Sequence, residues 1–144
     1  MKALSRTLVA IACAAALGAC STMESMTNSG SQQVSLSGAN EVPPADTGAS
    51  GSGTVTVNSD HTVTADITVT GMEATAAHIH EGAKGKNGKV IIPLTKMGDD
   101  HFVAPPGAKL TDEQYAAYKA GDLYVNVHSK QHPGGEVRAQ LAGG

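Results

Sequence analysis

Two runs near the middle of this chain alternate between apolar and polar residues with a period of two. Thr54-Val55-Thr56-Val57-Asn58 is the first. Thr62 to Val69 is the second, with Val63, Ala65, Ile67 and Val69 on one side. Successive side chains leave a strand on opposite faces, so runs of this kind bury one face only as part of a sheet. Ser59-Asp60-His61 between them is turn chemistry, and the pair reads as a hairpin. A lone hairpin is marginal in water, so other strands must join it. Val34 and Leu36 alternate with serines, Lys89 to Leu94 has an apolar centre, and Leu123 to His128 and Glu136 to Leu141 alternate again. Asn40-Glu41-Val42-Pro43-Pro44 interrupts the pattern, because neither proline donates to a ladder. The expected core is Val55, Val57, Val63, Ile67, Val69, Ile79, Ile91, Val125, Val127 and Val137. With no tryptophan and Phe102 as the one phenylalanine, that core is aliphatic and thin.

One helix interrupts the strands. Thr111-Asp112-Glu113-Gln114 matches a capping box, with Thr111 at the N-cap and Gln114 reaching back. Tyr115 and Tyr118 share a face, and Gly121 suits the C-terminal end. A helix of about nine residues does not stand alone, so it must dock on the sheet near 111–120. The fold class expected is therefore all-β: an antiparallel, Greek-key-like sandwich or barrel with one short helix.

The first nineteen residues read as an address. Lys2 and Arg6 precede an apolar run, Leu8 to Leu17, and then Gly18-Ala19-Cys20. A positive start, a short apolar stretch and small residues describe a secretory signal. The run of about ten residues is too short to span a bilayer, which takes ~20. Leu17-Gly18-Ala19-Cys20 resembles a bacterial lipobox, which implies cleavage before Cys20 and lipid on its sulfur. Ser21 follows where an aspartate would mark retention at the inner membrane, so the resemblance implies an outer-membrane lipoprotein facing the periplasm. Residues 20–33 are small and polar and read as a flexible tether. Met23 and Met26 lie in it, and two thioethers there are slight grounds for a copper site. Cys13 leaves with the signal, so no disulfide is available to the mature chain.

With 10 Lys and Arg against 13 Asp and Glu, the formal charge is −3, and removal of Lys2 and Arg6 makes it more negative. That balance argues against nucleic acid, which needs a basic face. Gly82 to Lys89 looks superficially like a phosphate loop. Five residues separate Gly82 from Gly88, however, and Val90 follows the lysine, so the motif fails.

The histidines carry the sharpest chemistry. His78 and His80, two apart on one strand, leave the same face. His128 ends a second alternating run, and His132 follows before Pro133-Gly134-Gly135, which can curl a loop back. Together His78, His80, His128 and His132 are candidate metal ligands. All-imidazole ligation suits copper or zinc, and the affinity order favours Cu(II). Glu136 is a candidate to orient a ligand imidazole. The competing reading of Glu136 and Arg138 is a surface ion pair of little energetic weight. For the histidines the competing reading is structural, with imidazoles bonded to nearby carbonyls. His61 and His101 are isolated. An unperturbed imidazole titrates near 6.5, so metal binding at such a site is expected to weaken from pH 7 to 5.

Four segments in order resemble a CHRD domain, a module named for its occurrence in chordin and widespread in bacterial secreted proteins. They are Leu36-Ser37-Gly38-Ala39-Asn40-Glu41-Val42-Pro43-Pro44, Ala76-Ala77-His78-Ile79-His80, Leu123-Tyr124-Val125-Asn126-Val127-His128, and Pro133-Gly134-Gly135-Glu136-Val137-Arg138-Ala139-Gln140-Leu141. The resemblance covers about 34–141. Ala139 and Glu81 stand where the family often has glycine, and His132 is outside its usual pattern. The fold implied is an all-β sandwich, and the family leaves activity open. The His-x-His strand with a late histidine is also similar to the copper ligands of Cu,Zn superoxide dismutase, but no bridging histidine and no zinc loop accompany them, so redox catalysis has thin support. No serine, cysteine or aspartate constellation suggests a hydrolase. Two functions follow as expectations: an envelope lipoprotein that binds copper for tolerance or delivery, anchored to the membrane by its lipid, or a metal-free structural or protein-interaction module of the envelope. The sequence does not name a protein partner.

Overall fold

The computed structural model describes residues 30–144; the signal segment, Cys20 and most of the tether lie outside the described residues. Nine strands and one helix follow in order. They are β1 (Gly30–Ser37), β2 (Ser50–Val57), β3 (Val63–Thr70), β4 (Ala74–Glu81), β5 (Lys89–Pro93), β6 (Thr95–Lys96), β7 (His101–Val103), α1 (Asp112–Lys119), β8 (Leu123–Ser129) and β9 (Val137–Gln140). All pairings are antiparallel, in the spatial order β5-β4-β8-β9-β1-β2-β3-β7-β6. The two ends of the sheet nearly meet. Leu94 N–H donates to the Ala77 carbonyl at 2.9 Å, and Lys96 Nζ donates to the Ala74 carbonyl at 2.7 Å. The result is a nearly closed barrel, which leaves little exposed edge.

The expected hairpin is β2–β3, with Val57 opposite Val63 and Ile67 opposite Gly53. Val63, Ala65, Ile67 and Val69 all point inward, and every second residue of β3 is exposed. The core follows the expected set with one exchange. Ile92, not Ile91, is buried, and Ile91 packs against the core from its margin. The pairing Ile79↔Ile92 explains this: a one-residue shift of register turns a strand's whole set of side chains over. Two short strands, β6 and β7, were not legible in advance. They bring Phe102 to full burial.

β1 starts at Gly30 and pairs with β2 as far as Gly30↔Val57, so residues 30–33 belong to the sheet and not to the tether that their composition suggested. Polar residues suit this end because its outward face is wet. The helix is α1 as expected, with the capping box formed in both directions at Thr111 and Gln114. Gly121 follows with φ near 81°, the left-handed turn that glycine supplies without a steric penalty. Buried Tyr118 docks the helix, its hydroxyl donating to the Gly30 carbonyl at 3.3 Å.

Candidate metal centre

β4, β8 and β9 lie side by side and bury both faces. Inward go Ala77, Ile79, Val125, Val127, Val137 and Ala139. Outward go His78 and His80 from β4, Tyr124, Asn126 and His128 from β8, and Arg138 and Gln140 from β9. Register sets His78 beside Asn126 and His80 beside Tyr124, then Asn126 beside Arg138. An outward face of this kind normally meets water. Here three loops cover it. The 82–88 loop is held by Arg138, whose two terminal nitrogens donate to the Lys86 carbonyl at 2.6 Å and Asn87 Oδ1 at 3.1 Å. The segment after β1 lies alongside: Asn40 Nδ2 donates to the Arg138 carbonyl at 3.1 Å, and Asn126 Nδ2 donates to Glu41 Oε1 at 3.4 Å. Asn87 Nδ2 ties the two loops through the Val42 carbonyl at 2.7 Å. The third loop, 130–136, turns on the His132 carbonyl, which accepts from Gly135 N–H at 3.0 Å.

This covered face brings His78, His80 and His128 together. One ring nitrogen from each lies within 4.8 Å of the others. His80 is buried, and the other two are half-buried. A register shift in the β4–β5 ladder falls between Ile79 and His80; bulges of this kind re-aim side chains beside sites.

The hydrogen bonds define the tautomers. His80 Nδ1 donates to the Gly88 carbonyl at 3.0 Å, which leaves Nε2 of the neutral ring with its lone pair free. That Nε2 is buried and within hydrogen-bond distance of no partner, and the buried Asn126 Oδ1, which approaches the same ring, is likewise unpaired. His128 Nδ1 donates to the Pro133 carbonyl at 2.9 Å, so its Nε2 is also an acceptor. His78 Nδ1 lies 2.9 Å from that Nε2 and donates to it when both rings are neutral. A metal held by Nε2 of His80, Nε2 of His128 and Nδ1 of His78 would take the place of that one proton. The 2.9 Å between His78 Nδ1 and His128 Nε2 is a hydrogen-bond distance, so the two rings would part slightly to hold an ion between them. The donor set fits a transition metal: three neutral imidazoles, two already oriented by carbonyls.

Burial disfavours the charged forms of His78 and His80. His78 is pushed down from 6.5 to about 4 by burial, then by the charges His128 and His80 would carry. His80 is pushed down by burial, with the Gly88 hydrogen bond opposing. Proton competition therefore sets in at lower pH than an unperturbed imidazole implies.

Three expectations are corrected. His132 stands outside the cluster. The Pro-Gly-Gly loop uses the His132 backbone for its turn, and the side chain lines a surface hollow with Val42, Pro43 and Pro44. Glu136 does not orient an imidazole: its carboxylate accepts from Thr47 Oγ1 at 2.6 Å, and backbone carbonyls take the orienting role. Nor do Glu136 and Arg138 form a surface pair, since they are 3% and 2% exposed and hold different loops. His61 and His101 lie apart, beside Asp112 and Asp66. Tyr124 and Gly88 escaped the sequence reading. Tyr124 stacks on His80 with ring centroids 4.7 Å apart and planes 6° from parallel, and its hydroxyl accepts from Gly88 N–H at 3.0 Å. Tyr124 shares the period-two register of His128, a signal that was present; Gly88 carried none.

The fold and site define a class: a mostly β barrel whose loops enclose a three-histidine cluster able to hold a metal. The CHRD domain model matches residues 32–141, and the chain belongs to the CHRD family. The four motif segments fall on the three strands of the covered face and on two of the three loops over it; the 82–88 loop lies outside them. No curated protein matches the chain, and no solved structure does.

Proposed function

We propose that this chain is an envelope-anchored lipoprotein whose CHRD domain binds a transition metal, copper above zinc, for copper tolerance or delivery. One observation carries the metal reading. His80 Nε2 is buried without a partner, and its other nitrogen is tied to a carbonyl. A buried acceptor left unpaired costs about 1–3 kcal/mol, and an ion would remove that cost. Copper is placed above zinc because, among divalent ions, imidazole sites favour copper over zinc. His128 and His78 are half-exposed, which leaves the centre open to exchange. Exchange suits carriage of a metal better than permanent structural use. Anchoring rests on Leu17-Gly18-Ala19-Cys20, and placement at the outer membrane rests on Ser21.

Metal titration of the purified domain, with strand β1 kept whole, tests the proposal. His80→Ala and His128→Ala should each lose most of the copper affinity. His132→Ala and His61→Ala should bind like wild type. Equal, weak binding by wild type and the His78/His80/His128 triple alanine variant would refute the metal reading. The His78–His128 hydrogen bond would then stand as a structural contact in an interaction module. Anchoring is tested separately: Cys20→Ala should move the protein out of the membrane fraction.

A further inference from the structure

Arg138 is 2% exposed, and among the described residues no carboxylate lies within ion-pair distance of it. Charged side chains are almost never buried without such a partner. Its terminal nitrogens meet neutral acceptors, the Lys86 carbonyl and Asn87 Oδ1. Its guanidinium carbon sits 3.4 Å over the centre of the Tyr124 ring. Tyr124 in turn stacks on His80. Strand order puts β8 between β4 and β9, so the tyrosine ring is sandwiched between the metal-site imidazole and the cation. Glu41 is a buried acidic side chain whose contacts reach the same network, through Asn126. Burial raises its pKa while the Asn126 hydrogen bond and the charge of Arg138 oppose that rise, and its carboxylate stays beyond ion-pair distance of the guanidinium.

A metal at this centre meets three neutral ligands and, one ring away, a fixed positive charge in a desolvated setting. Each added positive charge on the ion is opposed by that cation, and in a poorly screened interior the opposition is stronger than at a surface. We propose that Arg138 is a specificity-determining residue that biases the histidine centre toward monovalent copper and against Cu(II) and Zn(II). This rests on the metal reading above. Arg138 touches no ion itself; it acts through the field it projects across Tyr124, and through its hold on the loop that carries the Gly88 carbonyl to His80.

The test is competition titration of the whole domain with Cu(I), Cu(II) and Zn(II), with the reduction potential of bound copper measured alongside. Wild type should hold Cu(I) more tightly than Cu(II), so that the bound couple lies above that of aqueous copper. Arg138→Met keeps the buried stem and removes the charge. It should shift the Cu(I)/Cu(II) preference about tenfold toward Cu(II), a fall of about 59 mV for one electron. Arg138→Gln, shorter and uncharged but still polar, serves if the methionine variant does not fold. A purely structural role for Arg138 would lower both affinities together and leave the potential in place, and that result overturns the proposal. So does a wild-type centre that holds Cu(II) as tightly as Cu(I), a result decisive even if neither variant folds. Histidine-independent binding of all three ions would instead overturn the metal reading itself.

Discussion

Lowering the pH should destabilise the metal-free domain through His78 in a defined window. Its folded-state pKa lies near 4, against 6.5 for the free imidazole. Between those values the unfolded chain binds a proton that the folded chain refuses. Stability therefore rises with pH across the window: the contribution of neutral His78 is complete above about 6.5 and is lost as pH falls toward 4. One pH unit of displacement corresponds to about 1.4 kcal/mol, so the gap gives an upper bound of about 3 kcal/mol. Half-buried His78 retains some contact with water, and screening reduces this to about 2 kcal/mol. His80, displaced in the same direction by burial, adds to the loss. The assay is urea denaturation at a series of pH values in the presence of a chelator, comparing wild type with His78→Gln. Glutamine is polar and of similar size but does not titrate. The two proteins should differ in pH dependence between 6.5 and 4 and run parallel above it. Identical profiles through the window would refute the reasoning, because groups other than His78 would then account for the whole acid response.

Three further outcomes are expected. Ile67→Ala removes a fully buried side chain and should cost roughly 2–5 kcal/mol, read as a lower urea midpoint with an unchanged slope. Thr111→Ala removes the hydroxyl that accepts from Gln114 N–H at 3.2 Å and should cost about 1 kcal/mol, read in the same assay. Gly88→Ala would drive a methyl group into the Glu81 carbonyl. It should displace the carbonyl that holds His80 and weaken copper binding at least tenfold, measured by competition with a chelator of known affinity.

Much of the barrel was legible in the chain because each legible piece is a local property. Period-two alternation in Thr62–Val69 needs no knowledge of distant residues, and neither does the capping box at Thr111. The missed strands, β6 and β7, are two and three residues long, too short to show a period. They exist because neighbouring strands hold them. Ile91 and Ile92 are both apolar, and only the register with β4 decides which one is buried.

The site divides along the same line. His78 and His80 share a face by backbone geometry alone, and His128 stands in phase with Tyr124 and Asn126 for the same reason. That much the sequence determined. Whether β4 and β8 would be neighbours is a matter of topology, and pairing His78 with Asn126 put the two histidine segments together. Tertiary structure also decided what alternation misjudges. An outward position on a strand is ordinarily wet, yet Arg138, Asn126 and His80 are buried because loops 38–48, 82–88 and 130–136 fold over them. Those loops are polar and rich in glycine, so no local pattern marks where they lie. Their hydrogen bonds to the covered strands place them, and those bonds turn an ordinary sheet surface into a desolvated histidine centre.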